Sequence, residues 1–439
     1  MRVLLIHPNL PPYGGKADFR SFYPPLGLAC VAAPLSAAGH EVQAVDAPIT
    51  VASVESIVER VRTWDAEVVG FRCQLINYHR GLTIAKAIKA ERPSCNIVFG
   101  GPHMALVAEQ ALALHPFIDA IVCGEGEDAF PEYLDALGDR GGLDGVEGLV
   151  WRDDQGGIIR NPVRPVSKSL DDFPMPSLDI LPMHLYRMMN FFALEGHRGC
   201  PCACIFCSLS VVQTRKVRFK SPERFLSEME RLVVDYGINR FEMIEPNFTI
   251  LKEWCHEVCH LILDRGLRVQ WIARSYPEMV DEPTLRLMKR AGCYKVFFGI
   301  ESGSEKILRS YGKDTTVQQG RDAIRYGKEA GLQVYCDFMV GGPGETAETV
   351  EETIRFARET KPHMSDVSLI APFPGTPLYE RAEEFGVRLL DPHWYENPEA
   401  VAQFPFIRVM ELDTLTVQEL MGLWVHATSA ILYKHGGGD

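Results

Sequence analysis

The run Gly199-Cys200-Pro201-Cys202-Ala203-Cys204-Ile205-Phe206-Cys207 gathers four of the twelve cysteines of this 439-residue chain on one short loop. It follows an apolar segment near 191–197 that reads as a strand. Three of the cysteines, spaced Cys200-x3-Cys204-x2-Cys207, can each hold one iron of a cubane [4Fe-4S] cluster. The remaining iron then keeps an open site for a substrate or cofactor. Structural zinc is the competing reading, but it asks for four tetrahedral ligands, usually from two separated pairs, and the sequence has no second Cys-x2-Cys pair. Cys202 lies two residues from both Cys200 and Cys204, where a taut loop has trouble aiming all three sulfurs at one cluster; it is read as a non-ligand.

Toward the C-terminus, further strands are expected near 240–246, 268–274, 294–301, 333–341 and 366–372, each gap holding a helical stretch. Six such βα units make a partial (β/α)6 barrel over 191–385, whose reactive residues belong at the strand C-termini. Polar and glycine-rich segments do follow the strands: Glu245, Arg274, Gly299-Ile-Glu301-Ser302, Met339-Val340-Gly341 and Ala371-Pro-Phe373. Any one alone could be a turn cap; their placement after successive strands favours a site. Cys255 and Cys259 share a helix face and read as core packing.

Gly386 reads as a stop, which leaves 386–439 as a short, mainly helical segment. There Thr416 and Glu419 form a capping box opening a helix toward Tyr433, and Gly436-Gly437-Gly438 follow. Trp394, Tyr395, Phe404, Phe406 and Trp424 either pack this last helix or cover the barrel mouth.

Toward the N-terminus, apolar runs at Val3 to Ile6, Val42 to Val45, Val68 to Phe71, Ile97 to Phe99 and Ile118 to Val122 alternate with helical stretches. Residues 1–140 therefore read as a doubly wound, Rossmann-like α/β domain on a parallel sheet. Ligands in such sheets sit beyond the strand C-termini, which here carry Asn9, Arg72, Gln74, Gly100, Gly101, Gly124 and Glu125. Between the two domains, 141–190 holds a hairpin signal (Leu149-Val150-Trp151, then Ile158-Ile159) and a Pro-rich linker.

Composition agrees with a multi-domain globular enzyme: 46% of residues are hydrophobic and 23% charged. The net charge of −13 disfavours nucleic acid as a partner. No apolar run approaches a membrane span and the start lacks a signal-peptide pattern, so a cytoplasmic location is expected.

A barrel strand ending in this Cys-x3-Cys-x2-Cys loop, with the aromatic Phe206 before the last cysteine, resembles the radical SAM superfamily. The resemblance implies that S-adenosylmethionine (SAM) chelates the open iron, and that an electron from the cluster cleaves it to methionine and a 5′-deoxyadenosyl radical. It also implies SAM contacts from Phe206, Glu245, Arg274, Glu301 and Ser302, with Val340, Gly341 and Phe373 lining the adenine. Related enzymes often carry paired acids where this chain has Glu245-Pro246-Asn247, a departure that bears on the role of Glu245.

A doubly wound domain ahead of such a barrel, carrying Pro24-Pro-Leu-Gly-Leu28, Gly100-Gly-Pro-His103 and Cys123-Gly-Glu-Gly-Glu127, resembles the cobalamin-binding radical SAM enzymes. The two resemblances together cover nearly all of residues 1–385. No Asp-x-His-x-x-Gly pattern occurs, so bound cobalamin would lack a histidine lower ligand from that motif. Arg72 either lies beneath the corrin, favouring a low-coordinate cobalt, or pairs with a surface carboxylate. His103 either touches the cofactor or bonds local backbone at its helix start, while Cys73 and Cys123 read as packed thiols.

The resemblance implies a cobalamin-dependent methyltransferase acting on an unactivated carbon of a small-molecule substrate. The alternatives are a cyclase or rearrangement enzyme with the same cofactors, and a non-catalytic redox or cobalamin sensor. A low-potential donor such as flavodoxin or ferredoxin is implied.

Overall fold

The computed structural model describes residues 1–9, 23–139, 142–166, 169–403 and 409–432. They fall into two units: Met1–Met189 with Tyr395–Ala402, and Asn190–Trp394 with the chain from Gln403 onward.

In the first unit, β1 (Arg2–His7), β2 (Glu41–Asp46), β3 (Val68–Arg72), β4 (Asn96–Gly100) and β5 (Ala120–Val122) form a parallel sheet in the order β2-β1-β3-β4-β5. Val3, Leu4, Leu5 and Ile6 are at most 1% exposed, as successive apolar residues require of a strand covered on both faces. Helix Leu26–Ala37 is apolar almost all round because it packs on both the sheet and helix Gly126–Asp139, where Leu28, Ala32 and Leu35 join Phe130 and Tyr133 in one core. The chain reverses its winding between β1 and β3, the switch point at which doubly wound sheets bind ligands.

The expected hairpin forms as β6 (Leu149–Arg152) and β7 (Ile158–Arg160), and β6 pairs antiparallel with β5, carrying the sheet on to seven strands. Gly101 sits at φ +99°, where a Cβ would lie 2.6 Å from the Cys73 carbonyl oxygen. Only glycine lets the β4 turn approach β3 this closely.

In the second unit the six parallel strands form with short shifts from their expected bounds: β8 (Phe192–Leu194), β11 (Arg240–Met243), β12 (Gln270–Ser275), β13 (Cys293–Glu301), β14 (Gln333–Val340) and β15 (Met364–Leu369). They run in the order β15-β14-β13-β12-β11-β8 with β15 and β8 as edges, so the barrel is partial. A small antiparallel pair, β9 (His197–Arg198) with β10 (Arg218–Phe219), follows β8.

The helices between the strands begin on one repeated device. Ser221, Asp281, Thr316 and Thr346 each accept a hydrogen bond from the backbone N–H three residues on. Each cap contributes about 1 kcal/mol.

The strands show period two. Val296, Phe298 and Val334 lie against Gly327 of helix Val317–Glu329, which places Phe297, Gly299, Tyr335, Asp337 and Met339 on the opposite, interior face.

After Gly386, at φ +67°, the tail is not purely helical: β16 (Val387–Leu389) pairs with β17 (Met410–Leu412). Three residues per strand are too few to show alternation in the sequence. Thr416 and Glu419 form the expected reciprocal cap of helix Val417–Leu432. Trp424 donates to the Val367 carbonyl at 2.8 Å, so this helix covers the β15 edge. Phe404, Phe406, Tyr433 and Gly436-Gly437-Gly438 lie outside the described residues. Among the described residues no helix is long and apolar enough to cross a membrane.

Candidate active site

The cysteine loop is held by backbone bonds that the cysteine side chains do not share. Cys200 N–H donates to Thr214 O at 3.2 Å, Ile205 N–H to Tyr311 O at 3.0 Å, and Leu378 N–H to Ile205 O at 2.9 Å. Gly199, at φ +98°, would carry a Cβ 2.3 Å from Lys216 O, so the loop's entry also requires glycine. Ile205 is buried with Ile307, Tyr311, Ile370 and Leu378, and the Phe206 ring meets Tyr311 edge-on at 5.4 Å. The sulfurs are thus presented by a pinned loop.

Cys200 and Cys204 are buried, and Cys202 and Cys207 partly exposed. The Cys202 thiol first, and then the Tyr276 hydroxyl 3.2 Å from Sγ, hold Cys200 below the usual thiol range against the effect of burial. Burial pushes Cys204 up to about 12, opposed by Lys313, and Cys204 feels the charges of Cys207, Glu301 and Cys200.

Among the described residues no three His, Cys, Asp or Glu side chains gather as ligands of a single ion. A cubane asks for a different arrangement, three thiolates each on its own iron. Cys200, Cys204 and Cys207 fit that demand as a donor set on a loop tied down without them.

Beside the sulfurs lies a residue that the sequence did not single out. Lys313, with its side chain 4% exposed, donates to Gly299 O at 2.6 Å and to Glu301 Oε1 at 3.1 Å, and stands 5.5 Å over the Tyr276 ring. Burial works against its charge, yet Glu301 and Cys204 hold the ammonium above its usual range. Glu301 itself sits at φ +63°, a left-handed conformation costly for a residue with a Cβ and often found at functional positions. A lysine after a Tyr-Gly turn gives no local sign of burial; nor does Tyr276, which reaches Cys200 from the turn that follows β12.

The remaining expected SAM residues divide. Arg274 faces the interior, paired with Glu242 and 5.4 Å over the Phe297 ring. Asp337, on the same face, is pushed up to about 7, first by burial and then by Glu301. Glu245 is 2% exposed: one oxygen accepts from Gly196 N–H at 3.2 Å, the other has no partner, and burial pushes it up to about 8. The Ser302 hydroxyl is likewise engaged, 2.9 Å from the Thr353 hydroxyl and accepting from Ser304 N–H, which ties the β13 turn to helix Ala347–Thr360. Val340 is buried; Gly341, at φ +101°, donates to Glu345; and the Phe373 ring meets Trp394 edge-on at 5.9 Å.

In the first unit the expected cobalamin residues lie along the strand C-termini. Arg72 ends β3 and Gly100 ends β4, in register with each other. Gly101 and Gly124 both have positive φ, and a Cβ at Gly124 would meet nothing within 4 Å. Asn9 accepts from Arg80 at 3.0 Å, Gln74 precedes the turn Leu75–Asn77, and Glu125 precedes helix Gly126–Asp139.

His103 is 3% exposed against Tyr78 and Tyr395, and burial pushes it down to about 4. Neither ring nitrogen has a partner, so the expected local backbone bond is not made. An orphaned buried imidazole beside a glycine edge fits a group still to be bound. Cys73 and Cys123 are raised by burial, as packed thiols are, and Cys255 and Cys259 are fully buried.

Two outcomes are expected. Alanine at Cys200, Cys204 or Cys207 should each lower cluster iron by about tenfold, read by iron analysis and visible absorbance, while Cys202→Ala keeps it; equal loss at Cys202 would make it a ligand. Glu245, with a folded pKa of about 8 against an ordinary 4.5, contributes stability below 4.5 that is lost as pH rises through 8. Glu245→Gln should therefore melt increasingly above the parent as pH is raised from about 5 to about 9; a gap that stays constant would place Glu245 in water.

Residues 15–134 match the B12 binding domain family and residues 194–357 the radical SAM superfamily. Uncharacterized methyltransferase PH0819 of Pyrococcus horikoshii is 35% identical over 387 residues, covering 87% of this chain and 83% of that protein. The anaerobic magnesium-protoporphyrin IX monomethyl ester cyclase of Rubrivivax gelatinosus is 32% identical over 394 residues, covering 87% and 70%. The radical SAM methyltransferase TsrM of Kitasatospora setae, solved with cobalamin and a [4Fe-4S] cluster, shares the fold: TM-score 0.78 at 17% identity, over 99% of this chain and 89% of that one. With a pinned three-cysteine loop in one unit, a glycine edge in the other and relatives alike along most of their length, the chain belongs to the cobalamin-binding radical SAM enzymes and uses a [4Fe-4S] cluster, SAM and cobalamin.

Proposed function

We propose that this enzyme adds a methyl group to an unactivated carbon of a small-molecule substrate. The observation that carries the reading is the pairing, in one chain, of an open-cluster loop with a cobalamin edge, in a family where the relative at 35% identity is named a methyltransferase. When bound, the cluster and SAM supply a hydrogen-abstracting carbon radical and methylcobalamin supplies the methyl group.

The chain's own residues have separable tasks. Cys200, Cys204 and Cys207 hold three irons. Lys313, a buried cation near the sulfurs, is placed to pair with the SAM carboxylate, and Glu301 positions it. Phe206, Val340, Gly341 and Phe373 line the adenine on this reading, while Glu245 and Ser302 act through the backbone they hold. Arg274, Phe297, Tyr335 and Asp337 face the barrel interior and form its substrate wall. In the first unit Arg72 would face the cofactor and, being permanently charged, would not itself ligate its metal. Asn9, Gln74, Gly100, Gly101, His103, Gly124 and Glu125 take the rest of the cofactor. A flavodoxin or ferredoxin supplies the electron, in the reducing cytoplasm.

Ring formation without carbon gain is the second reading, favoured by the cyclase relative at 32% identity. The two differ in products. Under reducing, oxygen-free conditions with methyl-labelled SAM, methyl transfer should yield 5′-deoxyadenosine and S-adenosylhomocysteine in a ratio of about one, with label in the product. Deoxyadenosine and turnover without S-adenosylhomocysteine would support cyclisation instead.

A further inference from the structure

The Tyr276 hydroxyl lies 3.2 Å from Cys200 Sγ, a direct contact between a phenol and one of the three sulfurs that hold iron. A thiolate bound to iron has no proton to give and a phenol has one, so in the loaded protein Tyr276 is the donor and Cys200 the acceptor.

The phenol is fixed from several sides. Tyr276 stands between the end of β12 at Ser275 and the turn Pro277–Met279. Its backbone N–H donates to Asn247 Oδ1 at 3.3 Å, and its carbonyl accepts from Met279 N–H at 3.0 Å. Asn247 is itself 0% exposed, with its carbonyl oxygen 2.9 Å from His197 Nε2 and its side-chain oxygen accepting from the Thr249 hydroxyl at 3.0 Å. On the ring face Lys313 Nζ stands 5.5 Å from the centroid and is tied to Gly299 O at 2.6 Å. The hydroxyl is thus delivered to Cys200 by a ring with little room to turn.

Reduction adds one electron, whose charge spreads over the irons and their sulfurs. A hydrogen bond to a sulfur is stronger in the more negative state, so it favours that state and raises the reduction potential. The surroundings add to the effect. Cys200 is buried, where hydrogen bonds are electrostatically stronger than in water, and a cation on the ring face makes the phenol a better donor.

We propose that Tyr276 tunes the cluster by donating its hydroxyl hydrogen bond to the Cys200 thiolate, raising the reduction potential toward the reach of the low-potential donor. The donor loses one electron, the cluster gains it, and the phenol keeps its proton. Tyr276 acts through Cys200 and is in that sense a positioning residue. The inference rests on Cys200 being an iron ligand and is independent of whether the product is a methylated carbon or a new ring.

The test is an EPR-monitored redox titration of the full chain, reconstituted with iron and sulfide without oxygen or SAM, with iron counted on every sample. Tyr276→Phe keeps the ring under Lys313 and removes only the O–H. It should hold as much iron as the parent and show a reduction equilibrium constant lower by about tenfold, or about 59 mV for a one-electron couple. Tyr276→3-fluorotyrosine, a stronger acid of nearly the same size, should move the potential the opposite way. A side chain that only fills space would produce neither shift.

Tyr276→Phe at full iron with a constant within about twofold of the parent would overturn the proposal, as would a fluorinated variant whose potential stays or falls. If Tyr276→Phe loses its cluster, the fluorinated variant carries the test. Cys200→Ala that keeps the parent's iron would instead remove Cys200 from the cluster, and with it the sulfur through which Tyr276 acts.

Discussion

A cubane held by only three protein sulfurs must keep one corner vacant without the loop around it collapsing, and the second unit is arranged round that demand. The loop cannot rely on a fourth ligand for its shape, so its backbone is tied elsewhere: Cys200 to Thr214, Ile205 to Tyr311, Leu378 to Ile205. The thiolates also concentrate negative charge in a buried place. At 4 Å and an effective dielectric constant of 20, two unit charges interact by about 4 kcal/mol, far above the roughly 0–1 kcal/mol typical of exposed surface pairs. A buried ammonium at Lys313 is therefore expected here and would be costly almost anywhere else. Glu301, in its strained conformation, holds that cation in place.

The two units solve different chemical problems with the same structural grammar. Each places parallel strands under helices and puts its chemistry at the strand C-termini. The first unit offers glycine-rich turns and a buried, unpartnered imidazole at His103, features suited to a large preformed cofactor. The second offers thiolates, a buried cation and an interior carboxyl at Asp337 pushed up to about 7, features suited to small charged groups. Asp337 can hold or release a proton near neutrality while Arg274 and Lys313 limit how far its pKa rises.

Much of this was legible in the chain because it is written locally. The cysteine spacing, the apolar runs of β1 to β5, the period-two strands β13 and β14 and the Thr416–Glu419 cap depend on residues a few positions apart. What escaped depends on distance. Lys313 is buried because β13 and the cysteine loop close over it, and Tyr276 meets Cys200 across 76 positions. The pairing of β6 with β5 depends on which edge the returning hairpin meets, and β16 with β17 joins segments more than twenty residues apart. Glu245 and Ser302 stand beyond strand ends as the sequence suggests, but the partners they meet there, the Gly196 N–H and the Thr353 hydroxyl, come from segments 49 and 51 positions away.

The central claim is that three sulfurs leave one iron open to SAM. Its most direct measurement is the EPR spectrum of the anaerobically reconstituted, reduced protein before and after SAM is added, with iron counted on the same sample. About four irons per chain and a cluster signal that shifts on adding SAM are predicted. A cluster signal indifferent to SAM, or iron at about one per chain, would contradict the account.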